Sequence, residues 1–238
     1  MIYGAILAGG VGSRMNIADM PKQFLPLGEK PIIIHTLEKF LLCQDIDEVY
    51  IGVHSQWLSH MEDLVKKYVE LRRENVHVVP GGGDRNETIM AVINAIEAKY
   101  GQREDDYIIT HDAVRPFVTH RIIQENIDMV KQYNACDTVV NAVDTIVMSA
   151  DGATIKDIPD RSLMYQGQTP QSFQMSLLKN LYYDLSPEEK DKLTDACKIC
   201  VVSNVPVYLV RGEVSNLKIT TVSDYKIAQA MVGGKILD

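Results

Sequence analysis

Over the first 135 residues, short apolar runs alternate with longer amphipathic stretches. Residues 2–7 predict a strand that runs into glycines. Ile33, Ile34, Leu37, Phe40 and Leu41 recur at helical spacing and predict a helix over residues 31–42. A strand at 48–53 and a helix at 56–68 follow, then a strand at 76–79 that ends in Gly81-Gly82-Gly83. Ile89, Val92, Ile93 and Ile96 share one face of a helix predicted at 86–100. A strand at 107–110 ends in His111-Asp112, and a helix covers 120–133. Near-continuous apolar strands, each followed by a helix, imply an α/β fold with a mostly parallel central sheet covered on both faces. Functional loops then gather at the carboxyl ends of the strands. Gly9-Gly10, residues 81–85 and Asp112 all follow such ends, so three chemically loaded segments converge on one rim.

The rhythm changes after Ala135. Residues 138–148 and 153–158 are β-prone, and Asp151-Gly152 between them is a hairpin turn signal. A solitary two-stranded ribbon is marginal in water, so this β-arm, at about residues 138–160, is expected to pack on another subunit. The alternative is a hairpin folded back on its own sheet. A helix is predicted at 186–197 with Ser186 as N-cap, strands at 207–210 and 217–220, and a closing helix at 223–231. No linker or repeat breaks the pattern, which predicts one domain spanning residues 1–238.

Composition narrows the function classes. The 238 residues carry 24 Lys+Arg against 32 Asp+Glu, a net charge of −8, and 46% are hydrophobic. That balance argues against disorder and against a generic nucleic-acid binder, which shows a basic field. The apolar run at residues 1–8 stops at Gly9, far short of a membrane span of about 20 residues, and no basic region precedes it. Four cysteines make no disulfide framework, and a reducing cytoplasm is the expected location. Cys197 and Cys200 read as buried thiols, with redox or metal roles as the alternative.

The strongest chemical signal is Leu7-Ala8-Gly9-Gly10-Val11-Gly12-Ser13-Arg14-Met15, followed by Pro21-Lys22-Gln23-Phe24. Glycines let the backbone approach a polyphosphate, Arg14 can fork two phosphate oxygens, and Lys22 adds a point charge. A Walker loop would need Gly-Lys-Ser/Thr, and a dinucleotide fingerprint a third glycine where Met15 stands.

This loop resembles the signature of sugar-phosphate nucleotidyltransferases. Gly82-Gly83-Asp84-Arg85, residues 110–117 (THDAVRPF), Gln168-Thr169-Pro170-Gln171-Ser172-Phe173, Thr194-Asp195 and Asn216-Leu217-Lys218-Ile219-Thr220 narrow the match. They resemble the cytidylyltransferases of methylerythritol phosphate and ribitol phosphate, over nearly the whole chain. Met1-Ile2-Tyr3, residues 143–147 and residues 165–169 look more like the ribitol 5-phosphate members. The resemblance implies a Rossmann-like, GT-A-like domain that couples CTP with D-ribitol 5-phosphate to give CDP-ribitol and pyrophosphate, feeding teichoic-acid or capsule polymers. The alternative acceptor is 2-C-methyl-D-erythritol 4-phosphate, of isoprenoid synthesis.

By that resemblance Arg14, Lys22 and Lys218 stabilise the α-phosphate in the transition state. Leu7, Ala8, Gly9 and Gly10, with Gly82, Gly83, Asp84, Arg85, Asn86, Glu87 and Thr88, enclose the nucleotide. Asp112 would hold Mg²⁺, a hard cation suited to oxygen ligands, with Asn216 a weaker candidate. Arg115, Thr145, Arg161 and Thr169 would bind the sugar-alcohol phosphate. The β-arm, flanked by Thr145 and Arg161, would cross into a neighbouring subunit of a homodimer. A ribulose-phosphate reductase is an expected partner as the source of the acceptor. The chemistry itself needs no general base, because a phosphate monoester with its second pKa at about 6 is already mostly dianionic at neutral pH. Cations must do the work of bringing two polyanions together. His111 is therefore read as packing or orienting. A silent nucleotide-binding protein would be expected to lack Arg14, Lys22 or Asp112, and a nicotinamide oxidoreductase would need the missing glycine fingerprint.

Overall fold

Side chains of the first strand alternate between two apolar layers: Ile2, Ile6 and Ala8 join one core cluster, and Tyr3 and Ala5 the other. A period of two with both faces buried is the mark of a central strand. The structure, a computed structural model, describes residues 1–10 and 20–233. In chain order its elements begin with β1 (Ile2–Ala8), a short hairpin β2 (Pro26–Leu27) and β3 (Lys30–Pro31), α1 (Ile32–Leu41) and β4 (Glu48–Val53). Next come α2 (Leu58–Tyr68), β5 (Val76–Pro80), α3 (Arg85–Tyr100), β6 (Tyr107–Asp112), α4 (His120–Tyr133) and β7 (Ala135–Asn141). The remainder is β8 (Tyr165–Gln174), α5 (Met175–Asp184), α6 (Pro187–Lys190), α7 (Cys197–Val202), β9 (Tyr208–Arg211) and α8 (Val222–Val232).

A seven-stranded sheet runs β5-β4-β1-β6-β8-β7-β9. Its first four strands are parallel, β8 is antiparallel to both neighbours, and β9 is parallel to β7. The expected α/β class holds, with the sheet mixed by the insertion of β8. Ile33, Ile34 and Leu37 of α1, with Ile122, Ile123 and Ile127 of α4, fill one face. Ile89, Ile93 and Ile96 of α3, with Leu178 of α5 and Ile199 of α7, fill the other. Each such fully buried side chain contributes about 1.5–3 kcal/mol over its exposed state.

Register then sets the functional rim. Leu7 of β1 stands opposite Asp112 of β6, and Ala8 opposite Val53, which faces Pro80. The chain leaves β1 toward β4 and β5 and returns to β6 on the other side. The gap between β1 and β6 is thus the topological switch point, where open α/β sheets bind ligands.

Several expectations are corrected. The strand predicted at 138–148 ends at Asn141, and no strand forms at 153–158; a single bridge between Met148 and Asp157 joins the two limbs. Among the described residues no third strand lies beside these limbs, and beyond the bridge their tip is closed by Asp151, which accepts from the N–H groups of Ala153 and Thr154. The helix predicted at 186–197 is one capped turn, α6, then a separate α7. Between them only Leu193 is large and apolar before Ala196, too little to bury a helical face. Residues 217–220 form no strand. They lie beside β6's end instead, where the Ile219 N–H donates to the Val114 carbonyl. β8 and α5 were not anticipated.

The opposite rim carries its own polar cluster. The Glu48 carboxylate, at the start of β4, receives Lys99 Nζ at 2.8 Å, the Tyr50 hydroxyl at 3.0 Å, and the Tyr100 hydroxyl, with His77 Nε2 at 3.2 Å.

Candidate active site

Three backbone turns build the site. After β1 the chain passes through Gly9 and Gly10, whose position is fixed by Gln23: its Nε2 donates to the carbonyls of Ala8 at 2.9 Å and Gly10 at 3.0 Å. Gln23 is buried, and adjacency to Lys22 was its only sequence signal. Arg14 lies outside the described residues.

After β5 the chain turns into α3. Asp84 caps that helix by accepting from the Glu87 N–H at 2.7 Å, while Thr88 Oγ1 accepts from the Gly82 N–H and donates to the Asp84 carbonyl. Glu87 accepts from the Gly83 N–H at 2.7 Å. Two N–H groups of the predicted nucleotide loop are thus already engaged within the protein. The turn is tight enough that a Cβ on Gly82 would lie 2.3 Å from Cβ of Glu87. Thr88 also packs against Gly9 and Gly81, tying the two glycine loops together.

The third turn follows β6 at Asp112. Its carboxylate is ringed by Lys218 Nζ at 3.0 Å, Arg115 Nε at 3.1 Å and Arg85 Nε at 3.6 Å. Burial alone would raise this carboxyl, but Arg85, Lys218 and Arg115 outweigh it and hold it well below the usual range. Beneath it, His111 Nε2 lies 3.1 Å from the Arg115 carbonyl, which can only accept, so that nitrogen carries the proton. Nδ1 then accepts from the Thr169 hydroxyl at 2.9 Å, and that oxygen accepts from the Asp112 N–H at 3.1 Å. Burial pushes the His111 imidazole down to about 4, so it is neutral at physiological pH, and its two nitrogens link the Arg115 carbonyl to Thr169.

These turns enclose a cavity of about 330 Å³. Leu7, Ala8, Gly9 and Gly10 line it from β1, Lys22 from the following turn, and Gly82, Gly83, Asp84, Arg85 and Thr88 from the β5–α3 turn. Asp112, Ala113, Val114 and Lys218 close the remaining side, and Gln23 lies beside Lys22. Of the predicted nucleotide residues, Asn86 and Glu87 stand behind this lining. Arg115 and Thr169 underlie Asp112. Thr145 and Arg161 are exposed on the arm, where Arg161 Nη1 donates to the Val143 carbonyl at 2.8 Å; neither lines the cavity within one chain.

The residues fit a magnesium ion in a limited way. Among the described residues no group of three or more His, Cys, Asp and Glu side chains could hold a metal alone. One ionised carboxylate at a phosphate-sized cavity is nonetheless what Mg²⁺ uses when substrate phosphates supply further oxygens. Asn216 is a poorer candidate because it does not line the cavity, although its Oδ1, the atom a metal would use, is buried without a hydrogen-bond partner while both amide hydrogens go to Gln168 Oε1 and the Thr169 carbonyl.

A mixed α/β sheet with a cation-ringed, glycine-walled cavity at its switch point defines a nucleotidyltransferase enzyme. The family model described as 2-C-methyl-D-erythritol 4-phosphate cytidylyltransferase (IspD) matches residues 2–234, and the chain belongs to that family. It is 27% identical to 4-diphosphocytidyl-2C-methyl-D-erythritol synthase from Anaerococcus prevotii, over 98% of this chain and 96% of that one, with a TM-score of 0.80. The 2-C-methyl-D-erythritol 4-phosphate cytidylyltransferases of Francisella tularensis (24% identity, 95% and 97% covered, TM-score 0.78) and Thermus thermophilus (22%, 98% and 100%, 0.74) share the fold.

Proposed function

We propose that this cytidylyltransferase transfers CMP from CTP to D-ribitol 5-phosphate, giving CDP-ribitol and pyrophosphate. The observation that carries the transfer is the ring of Lys218, Arg115 and Arg85 around Asp112, set at the switch point beside Gly9 and Gly10. A phosphate oxygen of the acceptor attacks the α-phosphorus of CTP, the bond to the β-phosphate oxygen breaks, and pyrophosphate leaves with the electron pair. No proton needs abstracting, in keeping with a neutral, internally bonded His111.

In this reading Arg14, Lys22 and Lys218 stabilise charge on the α-phosphate, and the two glycine turns hold cytosine and ribose. Asp112 would hold the magnesium ion that neutralises triphosphate charge. Arg115 and Thr169 keep Asp112 in place beside the acceptor. Thr145 and Arg161 would reach a neighbouring protomer's site across a homodimer. The exposed apolar side chains of the arm, Val143, Val147, Ile155, Ile158 and Leu163 among them, support its burial on a second copy. One seven-stranded sheet supports reading the chain as one domain. A cytoplasmic location, a place in teichoic-acid or capsule assembly and a ribulose-phosphate reductase partner rest on the sequence grounds given above.

The acceptor has a second reading. The family description and the Anaerococcus relative both favour 2-C-methyl-D-erythritol 4-phosphate. The likeness of residues 1–3, 143–147 and 165–169 to ribitol 5-phosphate enzymes supports the first. Pyrophosphate release from CTP and Mg²⁺ with each acceptor in turn separates them. Turnover confined to D-ribitol 5-phosphate is expected, and turnover confined to the methylerythritol substrate reverses the assignment.

A further inference from the structure

Lys218 sits on residues 217–220, which have no regular secondary structure, and its side chain is 44% exposed. A flexible ammonium on an irregular segment loses precision unless the backbone beneath it is fixed. Two buried amides supply that fixation. Asn216 is fully buried; its Nδ2 donates to the Thr169 carbonyl at 2.8 Å and to Gln168 Oε1 at 3.2 Å. Both partners can only accept, so the amide has one permitted orientation and cannot flip. Gln168, 8% exposed, has its own Nε2 donating to the Glu213 carbonyl at 2.9 Å. The Asn216 carbonyl in turn accepts from Arg115 Nη1 at 2.8 Å. Every link joins the segment carrying Lys218 either to β8, beside Thr169, or to Arg115, whose Nε rests on Asp112. The chain at Gly212 comes so close that a Cβ there would stand 2.5 Å from Gln168 Oε1.

We propose that Gln168 and Asn216 form a buried amide latch that positions Lys218 against the reacting phosphates. The latch rests on the role given to Lys218 above. Gln168 and Asn216 are positioning residues: they reach the reaction through Lys218.

The test is a double-mutant cycle on the full-length protein, with CTP-dependent pyrophosphate release and thermal melting as readouts. Gln168→Met removes the acceptor for Asn216 and the donor to Glu213 at similar volume. It is expected to lower kcat by about 10–100-fold, the scale of a small misplacement, while the KM for CTP changes much less. Combined with Lys218→Ala, it should add less than about twofold to the loss from Lys218→Ala alone. Gly212→Ala, which crowds the latch and leaves both amides in place, is expected to follow the same pattern and covers the case in which Gln168→Met does not fold. A full multiplicative loss in the Lys218→Ala background shows that the amides act elsewhere and overturns the latch. Wild-type kcat in Gln168→Met does the same. Wild-type kcat in Lys218→Ala removes the latch together with the role of Lys218, and absence of CTP-dependent pyrophosphate release from the wild type removes the proposed function itself.

Discussion

Replacing Glu48 by Gln separates what holds the fold from what performs the reaction. Burial by itself would raise the Glu48 carboxyl, but Lys99, the Tyr100 and Tyr50 hydroxyls and His77 bring it down to about 2 from an ordinary 4.5. At 1.36 kcal/mol per unit that gap of roughly 2.5 units is worth about 3 kcal/mol, and the partial exposure of Lys99 to solvent reduces it to about 2. Gln keeps the size and one acceptor for the tyrosines, so the loss reports the charge. For a chain of this length about 2 kcal/mol lowers Tm by roughly 4–8 °C. The pH dependence has a fixed sign. Above pH 4.5 the carboxylate is ionised in both folded and unfolded chains and the stabilisation is complete. As pH falls, the unfolded chain takes up the proton first, and the advantage fades toward pH 2. His111, depressed to about 4 by burial, removes stability from both proteins as pH falls from its ordinary 6.5, and cancels in the difference. Urea unfolding of wild type and Glu48→Gln at pH 7, 5, 3.5 and 2.5 should therefore give a gap that is constant over the first two points and shrinks over the last two. Turnover at pH 7.5 should stay within about twofold, because Glu48 begins β4 while Asp112 ends the parallel β6, on the opposite rim. Equal stability at pH 7, or an undiminished gap at pH 2.5, refutes the account of the cluster.

Lys22→Ala and Lys218→Ala should each lower kcat by about 10²–10³, as losing a transition-state charge partner does, with melting little changed; pyrophosphate release and differential scanning fluorimetry check both. Gly82→Ala should raise the KM for CTP and destabilise by about 1–3 kcal/mol, since its Cβ would meet Glu87 at 2.3 Å and the β5–α3 turn must open; a nucleotide-binding titration and urea melts measure the two effects. Arg161→Ala should raise the KM for the acceptor phosphate and leave CTP binding intact, read from initial rates with each substrate varied. Mixing Arg161→Ala with Lys218→Ala protomers should restore part of the activity if the arm serves its neighbour's site.

The parts of the molecule visible in the sequence are those whose partners are water or near neighbours along the chain. Ile2, Ile6, Ile33, Leu37, Ile89 and Ile93 announce their elements because burial against a continuous core leaves a periodic apolar trace. Gly9, Gly10, Lys22, Arg85 and Asp112 were visible because strand-to-helix turns at one rim admit few chemistries, and these residues do meet at one cavity. β8 left no such trace. Its segment Gln168, Thr169, Gln171 and Ser172 is buried beside Phe173 yet reads as a polar loop. What permits the burial is a set of distant partners. Thr110 donates to the Gln171 carbonyl, Ser172 to Asn126 Oδ1, and Asn126 to Thr138, which donates to the Pro170 carbonyl. A buried hydroxyl or amide without such bonds would cost about 1–3 kcal/mol, so a strand of this kind is stable only once the rest of the sheet exists. The same logic hid Gln23, whose amide is meaningful only against the carbonyls of Ala8 and Gly10. It also explains the arm: residues 142–160 have β-forming side chains but, among the described residues, no neighbouring strand, so their backbone groups take local turns and one bridge in place of a ladder. Hydrophobic periodicity reports how a segment avoids water, and this polar strand avoids it through groups 32 to 61 positions away, which is why the functional rim could be read from sequence while the strand that braces it could not.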